Sequence, residues 1–400
     1  MSERLRVGIS PCPNDTFAFA GLLSGAVKCE GATLDFELLD VQELNVRLAR
    51  GEFDAAKASF HAALRLTRET ALLSAGSALG FGVGPLLLAR KGAPKLDANA
   101  RVLCPGEGTT ATLLFQLFRG PLHVEQVVFS EIMPALEDGR ADFGVCIHEG
   151  RFTWRERALE FVEDLGARWE AEFRCALPLG GILFRKSRGR DLAARLSSAI
   201  ESSIAWARAN PKLALELMRE HAQELSDEVL WSHVDLYVNA ETLCLSNSAR
   251  DALVTLSAQA LRLHLLPPGS PALEIWGRTE AMRLFHVMGA RDTAGLVLPG
   301  GTWRPPSLAS EGFVHLSFAA QIEGTLTAHF AGVDSADLLE IDPGSAGAAL
   351  RYETSRAGAL FPHLYRELRA ADIKRLWPLR RLGGRWDLSA VSAGSEGPAD

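Results

Sequence analysis

The sequence predicts an α/β protein of two similar lobes facing each other across a cleft, followed by a small α+β domain. Two pairs of distant segments and one proline-rich stretch carry that expectation. LNVRLARGEFDAAKASFHAA and MPALEDGRADFGVCIHEG both run from a short helix through Gly51 or Gly139 to Asp54 or Asp142, then into an apolar strand. RVGISPCPNDTFAFAGLL and RVLCPGEGTTATLLFQLF share a second plan of strand, proline loop, small polar residues and helix. Strands alternating with helices imply mostly parallel sheets, whose ligand sites lie beyond the carboxyl ends of the strands. Near residue 268 the stretch LLPPGSPALEI breaks the pattern and reads as a linker.

Taken in order, Val7 to Ser10 read as a strand end, and Pro11 and Pro13 stop the ladder. Asn14 or Asp15 is then expected to cap a helix from Thr16 onward. Backbone N–H groups at such a helix start suit an anionic group or a carbonyl oxygen; the alternative is an ordinary capped loop. The second lobe is placed at about residues 95–178. The chain returns through LPLGGILF and a run of helices from about Asp191 to Leu266, with SSAIESSIAWARANPKLALELM the clearest amphipathic part. The expected domains are a two-lobed unit over 1–268, a linker over 269–278, an α+β unit over 279–388 and a disordered tail over 389–400.

Composition narrows the function classes. With 400 residues the chain should form two or three compact units. Apolar residues make up 47%, charged residues 23%, and the net charge is -7, which argues against a general nucleic-acid or anionic-membrane binder and favours small molecules. No membrane-length apolar run and no charged leader followed by an apolar core is present, so a cytoplasmic protein is expected. Cys12, Cys29, Cys104, Cys146, Cys175 and Cys244 are widely spaced with no CxxC, so metal clusters and disulfides are not expected. The sequence sets no oligomeric state.

Four points of the sequence converge on strand ends: Asn14-Asp15-Thr16, Lys57-Ala58-Ser59, Gly108-Thr109-Thr110 and His148-Glu149. Thr109 and Thr110 open a helix in the facing lobe, either to present donors and hydroxyls to a ligand or as a plain cap. Lys57 interrupts an apolar strand, so its ammonium reaches either the cleft or outer solvent. His148 follows the buried run DFGVCI, where a neutral imidazole can act as general base or be a satisfied structural group. Glu149 either orients it or faces solvent, and His61 holds nearly the equivalent place in the first lobe.

Together SPCPNDTF, KASFHA, GFGVGPLL, GTTATLL, FGVCIHEGRFTW, LPLGGILF and HVDLYVN resemble the 1,4-dihydroxy-6-naphthoate synthase family of the futalosine route to menaquinone, in order from about Arg4 to Leu266. The resemblance implies a type II periplasmic-binding-protein-like fold, no cofactor, and conversion of cyclic dehypoxanthine futalosine to 1,4-dihydroxy-6-naphthoate and a three-carbon fragment. By resemblance the catalytic base falls on His148 and substrate contacts on Lys57, Ala58, Ser59, Thr109 and Thr110. Asn14 and Asp15 join them from the strand-end pattern. The alternatives are a related chorismate dehydratase, or a carboxylate-binding or sensing protein of the same fold. LFHV, WRPPSLASEGFVHLSFAAQ, LLEIDP, LRYE and LFPHLYREL resemble a small-domain family of unknown function, thought distantly similar to ADP-ribosyltransferase folds. That similarity points to His315, Ser317, Tyr352 and Glu353; otherwise His315 and His363 are buried structural histidines in a domain without its own catalysis.

Overall fold

The computed structural model describes residues 3–120, 122–148, 150–221, 226–277, 283–289, 292–293, 296, 300–354, 360–382, 384–389 and 391. The chain divides into two compact units, Met1–Glu280 and Ala281–Asp400. Glu149 and most of the tail expected to be disordered lie outside the described residues. Among the described residues no helix is long and apolar enough to cross a membrane.

The first unit contains two sheets. One is built from β1 (Glu3–Ile9), β2 (Ala32–Leu38), β3 (Ala55–Ser59), β4 (Thr70–Leu73) and β5 (Ala78–Gly80). The chain then crosses into β6 (Leu86–Arg90), β7 (Val102–Cys104), β8 (Val124–Gln126), β9 (Phe143–Cys146) and β10 (Leu159–Asp164). It returns as β11 (Leu177–Arg185), and β12 (Ile275–Trp276) completes the first sheet. The strand orders are β12-β4-β11-β3-β1-β2, with β5 also on β11, and β10-β6-β9-β7-β8.

Among the described residues, parallel pairing is confined to β1 with β2 and β3, β7 with β8 and β9, and β4 with β12. The mostly parallel sheets expected from the sequence are therefore mixed. The strands that travel between lobes run against their neighbours: β6 opposes β9 and β10, and β11 opposes β3, β4 and β5. A strand that enters a lobe from the other one arrives at the end where its neighbours finish, so antiparallel pairing is the short route.

The repeated sequence plan is a repeated structure. Helices α1 (Pro13–Ala18) and α2 (Ala20–Leu23) follow β1, α3 (Val41–Ala49) precedes β3, and α4 (Phe60–Arg65) follows it. In the second lobe α5 (Thr110–Arg119) follows β7 and α6 (Phe129–Glu137) precedes β9. Gly51 and Gly139 end α3 and α6 with φ of 81° and 70°, a region that glycine enters without steric cost. Three residues on, the Asp54 carboxylate accepts from the Arg6 backbone N–H at 2.9 Å, and the Asp142 carboxylate accepts from that of Arg101 at 3.0 Å. Each lobe thus fixes its second helix-to-strand turn to the neighbouring parallel strand by the same bond.

The α1 start differs from expectation. Helix α1 begins at Pro13 with Cys12 before it, and neither Asn14 nor Asp15 caps it. Proline already lacks the N–H that a cap would satisfy and has the helical φ, so it opens the helix itself and places Asp15 inside the first turn. The expected amphipathic segment is likewise two helices, Arg190–Ala209 and Pro211–His221, because Pro211 cannot continue the first. The segment read as a linker includes β12, paired in parallel with β4. Four cysteines are buried and two are partly exposed, none in a disulfide.

In the second unit the strands Ser317–Phe318, Leu284–Met288, Ser335–Ile341, Ile373–Leu382 and Arg385–Trp386 form a five-stranded antiparallel sheet. Val314–His315, Leu360–Leu364 and Leu350–Thr354 form a three-stranded one. Glu353 accepts from the Tyr365 hydroxyl at 2.8 Å and lies 2.7 Å from Nδ1 of buried His363. Ser317 hydrogen-bonds Thr325 at 2.9 Å. His315 is exposed beside Glu311 rather than buried, and the side chain of Tyr352 lies outside the described residues.

Candidate active site

A cavity opens between the two sheets of the first unit. Asn14, Asp15, Lys57, Ala58, Ser59, Thr109, Thr110 and His148 all line it. Sheet topology explains the convergence, since β1, β3, β7 and β9 all finish toward the gap.

Lys57 lies within β3, whose five residues are all buried, and only 6% of its surface is exposed. Its ammonium donates to Asp15 at 2.6 Å and to the Gly76 carbonyl at 3.2 Å. Asn14 donates to the same Asp15 oxygen at 2.8 Å. Burial pushes the Asp15 carboxyl up, against the opposing pull of Lys57. A buried pair of this kind stands because each charge answers the other; removing one partner typically costs about 3–5 kcal/mol.

Several hydrogen bonds join the facing lobe to the first. Thr109 caps α5 by accepting from Thr112 N–H at 3.2 Å. Thr110 donates its hydroxyl to the Leu179 carbonyl at 2.8 Å. His61, fully enclosed at the start of α4, has Nδ1 3.2 Å from the Thr109 carbonyl, and Gly108 N–H donates to Gln42 at 3.2 Å. His61 thus bridges the lobes, while the cavity is lined by the other histidine of the repeat. At the crossing, Gly84 packs so closely on Gly166 that an added Cβ would lie 2.2 Å from the Gly166 Cα.

His148 sits just past β9 with φ of 55°, in the left-handed region. The turn is closed by Gly150 N–H on the Ile147 carbonyl and Arg151 N–H on the His148 carbonyl, both at 3.2 Å. Nδ1 lies 3.3 Å from the Cys12 sulfur, and the Ser10 hydroxyl donates to that sulfur at 2.9 Å. Phe129 meets the ring edge-on at 4.8 Å. Nε2 is buried and has no hydrogen-bond partner among the described residues. Burial, then the Lys57 charge, brings the imidazole down to about 4, so it is neutral at neutral pH.

Among the lining residues that the sequence reading did not assign to the site are two aromatic ones. Helix Asp227–Tyr237 contributes His233 and Tyr237 one turn apart, and their rings lie 4.5 Å from each other. The i, i+4 spacing within HVDLYVN puts them on one face. Only the fold reveals that this face meets the cavity. Among the described residues no cluster of three or more histidine, cysteine or carboxylate groups has the arrangement of a metal site.

Residues 5–261 match the profile of a family described as Menaquinone biosynthesis, and residues 292–376 match one described as Protein of unknown function (DUF952). A curated relative from Thermus thermophilus, named 1,4-dihydroxy-6-naphtoate synthase, is 41% identical over 266 residues, covering 66% of this chain and 97% of that protein. A crystal structure from Archaeoglobus fulgidus aligns with a TM-score of 0.63 at 30% identity, over 66% of this chain and 98% of that one. The ligand-binding component of an ABC-type import system from Staphylococcus aureus aligns with a TM-score of 0.53 at 14% identity, over 69% and 97%. That last likeness establishes the two-lobed periplasmic-binding-protein-like fold. With both lobes, the cavity between them and the strand-end motifs inside the matched segment, the chain belongs to the menaquinone biosynthesis family.

Proposed function

We propose that the first unit is a 1,4-dihydroxy-6-naphthoate synthase that converts cyclic dehypoxanthine futalosine, with His148 as the base. The observation that carries this is a neutral imidazole whose Nε2 is enclosed without a partner at a cavity lined by both lobes. Nε2 takes a proton from the bound substrate, and the electron pair moves toward the forming aromatic ring or the departing three-carbon fragment. The Lys57 ammonium and the N–H groups at the start of α5 are suited to the negative charge that develops. Asn14 holds Asp15 and Asp15 holds Lys57, so that charge is fixed in place before substrate arrives. Ala58, Ser59, Thr109 and Thr110 complete the walls, and hydrogen bonds between the lobes hold those walls together. Buried thiols at Cys29, Cys104 and Cys146 suit a reducing compartment, and the enzyme is assigned to the cytoplasm.

His148→Ala should lower turnover at least about a hundredfold, the usual scale for a general base, while calorimetry still detects substrate binding. Near-normal formation of the naphthoate, followed by mass spectrometry, would remove His148 from the role.

A further inference from the structure

The described residues include one buried imidazole with neither nitrogen satisfied. His233 is 1% exposed and lines the cavity, and both Nδ1 and Nε2 are buried with no hydrogen-bond partner among the described residues. A neutral imidazole always presents one N–H donor and one lone pair, so both a donor and an acceptor are left unmade.

Its neighbours cannot supply the partners. Phe152 and Tyr237 pack against the ring at 5.9 and 4.5 Å, and the Tyr237 hydroxyl donates to the Val83 carbonyl at 3.3 Å. The His148 ring lies stacked at 6.4 Å, 20° from parallel, too far for a direct bond. Burial, with His148 and Lys57 nearby, holds His233 well below the ordinary histidine value, so it does not gain a second N–H at neutral pH. If this position served packing alone, phenylalanine would fill the same aromatic niche without an unpaired polar atom.

We propose that His233 is a substrate-binding residue that hydrogen-bonds a hydroxyl group of the bound molecule, beside the atom from which His148 takes the proton. A hydroxyl both donates and accepts, so it can use either face of the ring's donor-acceptor pair. Two nearly parallel imidazoles then divide the work, one fixing the substrate and the other taking the proton. This rests on the proposed synthase activity.

The test uses the full chain and cyclic dehypoxanthine futalosine as probe. His233→Phe should keep or raise the thermal midpoint of the parent chain and weaken binding at least tenfold by calorimetry, with KM rising in step. His233→Asn, which retains a donor and an acceptor, should recover part of the loss. Ring nitrogen resonances of His233 should also shift when the substrate is added to the His148→Ala chain, a readout that does not depend on the Phe variant folding. Unchanged binding in His233→Phe, or resonances that stay still at saturation, would overturn the proposal. Failure of the parent chain to bind the substrate would sink the synthase activity as well. Normal turnover in His148→Ala would sink the base alone.

Discussion

At the scale of single residues, His148 is held where few side chains settle. A non-glycine residue at φ of 55° costs on the order of 1–2 kcal/mol, and here the turn after β9 carries it. The turn swings the ring off the strand so that Nδ1 meets Cys12 from the facing lobe while Nε2 stays unpartnered. An Nδ1–H directed at that sulfur leaves the lone pair on Nε2, the tautomer a base needs. Because the imidazole is brought down to about 4, its protonated, inactive form accumulates only below that pH. A pH profile of kcat/KM should therefore show no histidine loss between pH 5 and 7 and fall tenfold per unit below about 4. A fall already centred near the ordinary histidine value of about 6.5 would mean that the base is exposed or is another group. His148 was legible because it follows a buried run directly. His233 was not, because a histidine on a polar helix looks the same whether its face meets solvent or a cavity.

At the scale of elements, the helix–glycine–aspartate–strand turn is used twice. Asp142 also receives the guanidinium groups of Arg101 and Arg90, at 3.1 and 2.9 Å. The Arg101 hydrogen bond, the largest influence, holds its carboxyl well below the usual carboxylate range. A depressed native value stabilises the fold above the unfolded value of about 3.9 and loses that contribution as pH falls through the native one. Urea unfolding at pH 7 should show Asp142→Ala to be less stable than the parent. The gap should begin to close below about pH 4. A gap independent of pH would assign the loss to packing instead. The glycine and the aspartate made these turns readable, since each is dictated locally by backbone conformation and by one hydrogen bond. The direction of β6 and β11 was not readable, because it depends on which lobe a strand has just left.

At the scale of the molecule, every residue lining the cavity belongs to the first unit, which has its own sheets and buried clusters. A chain ending at Glu280 should fold cooperatively and turn over substrate within about twofold of the full chain. Loss of turnover with folding intact, by circular dichroism, would show that the second unit contributes to the reaction. The proline-rich stretch lies shortly before the division after Glu280, and β12 inside it was hidden, because Ile275 and Trp276 are too few to show a strand period.

That late two-residue strand gives the molecule a history. The five-stranded sheet uses only Leu86–Asp164, so it can close while the ribosome is still at work. The other sheet must wait for Leu177–Arg185 to come back and for Ile275–Trp276 to seal its rim. The lobe that holds β1 is thus the last to be finished, and until then the rim beside β4 has no neighbouring strand.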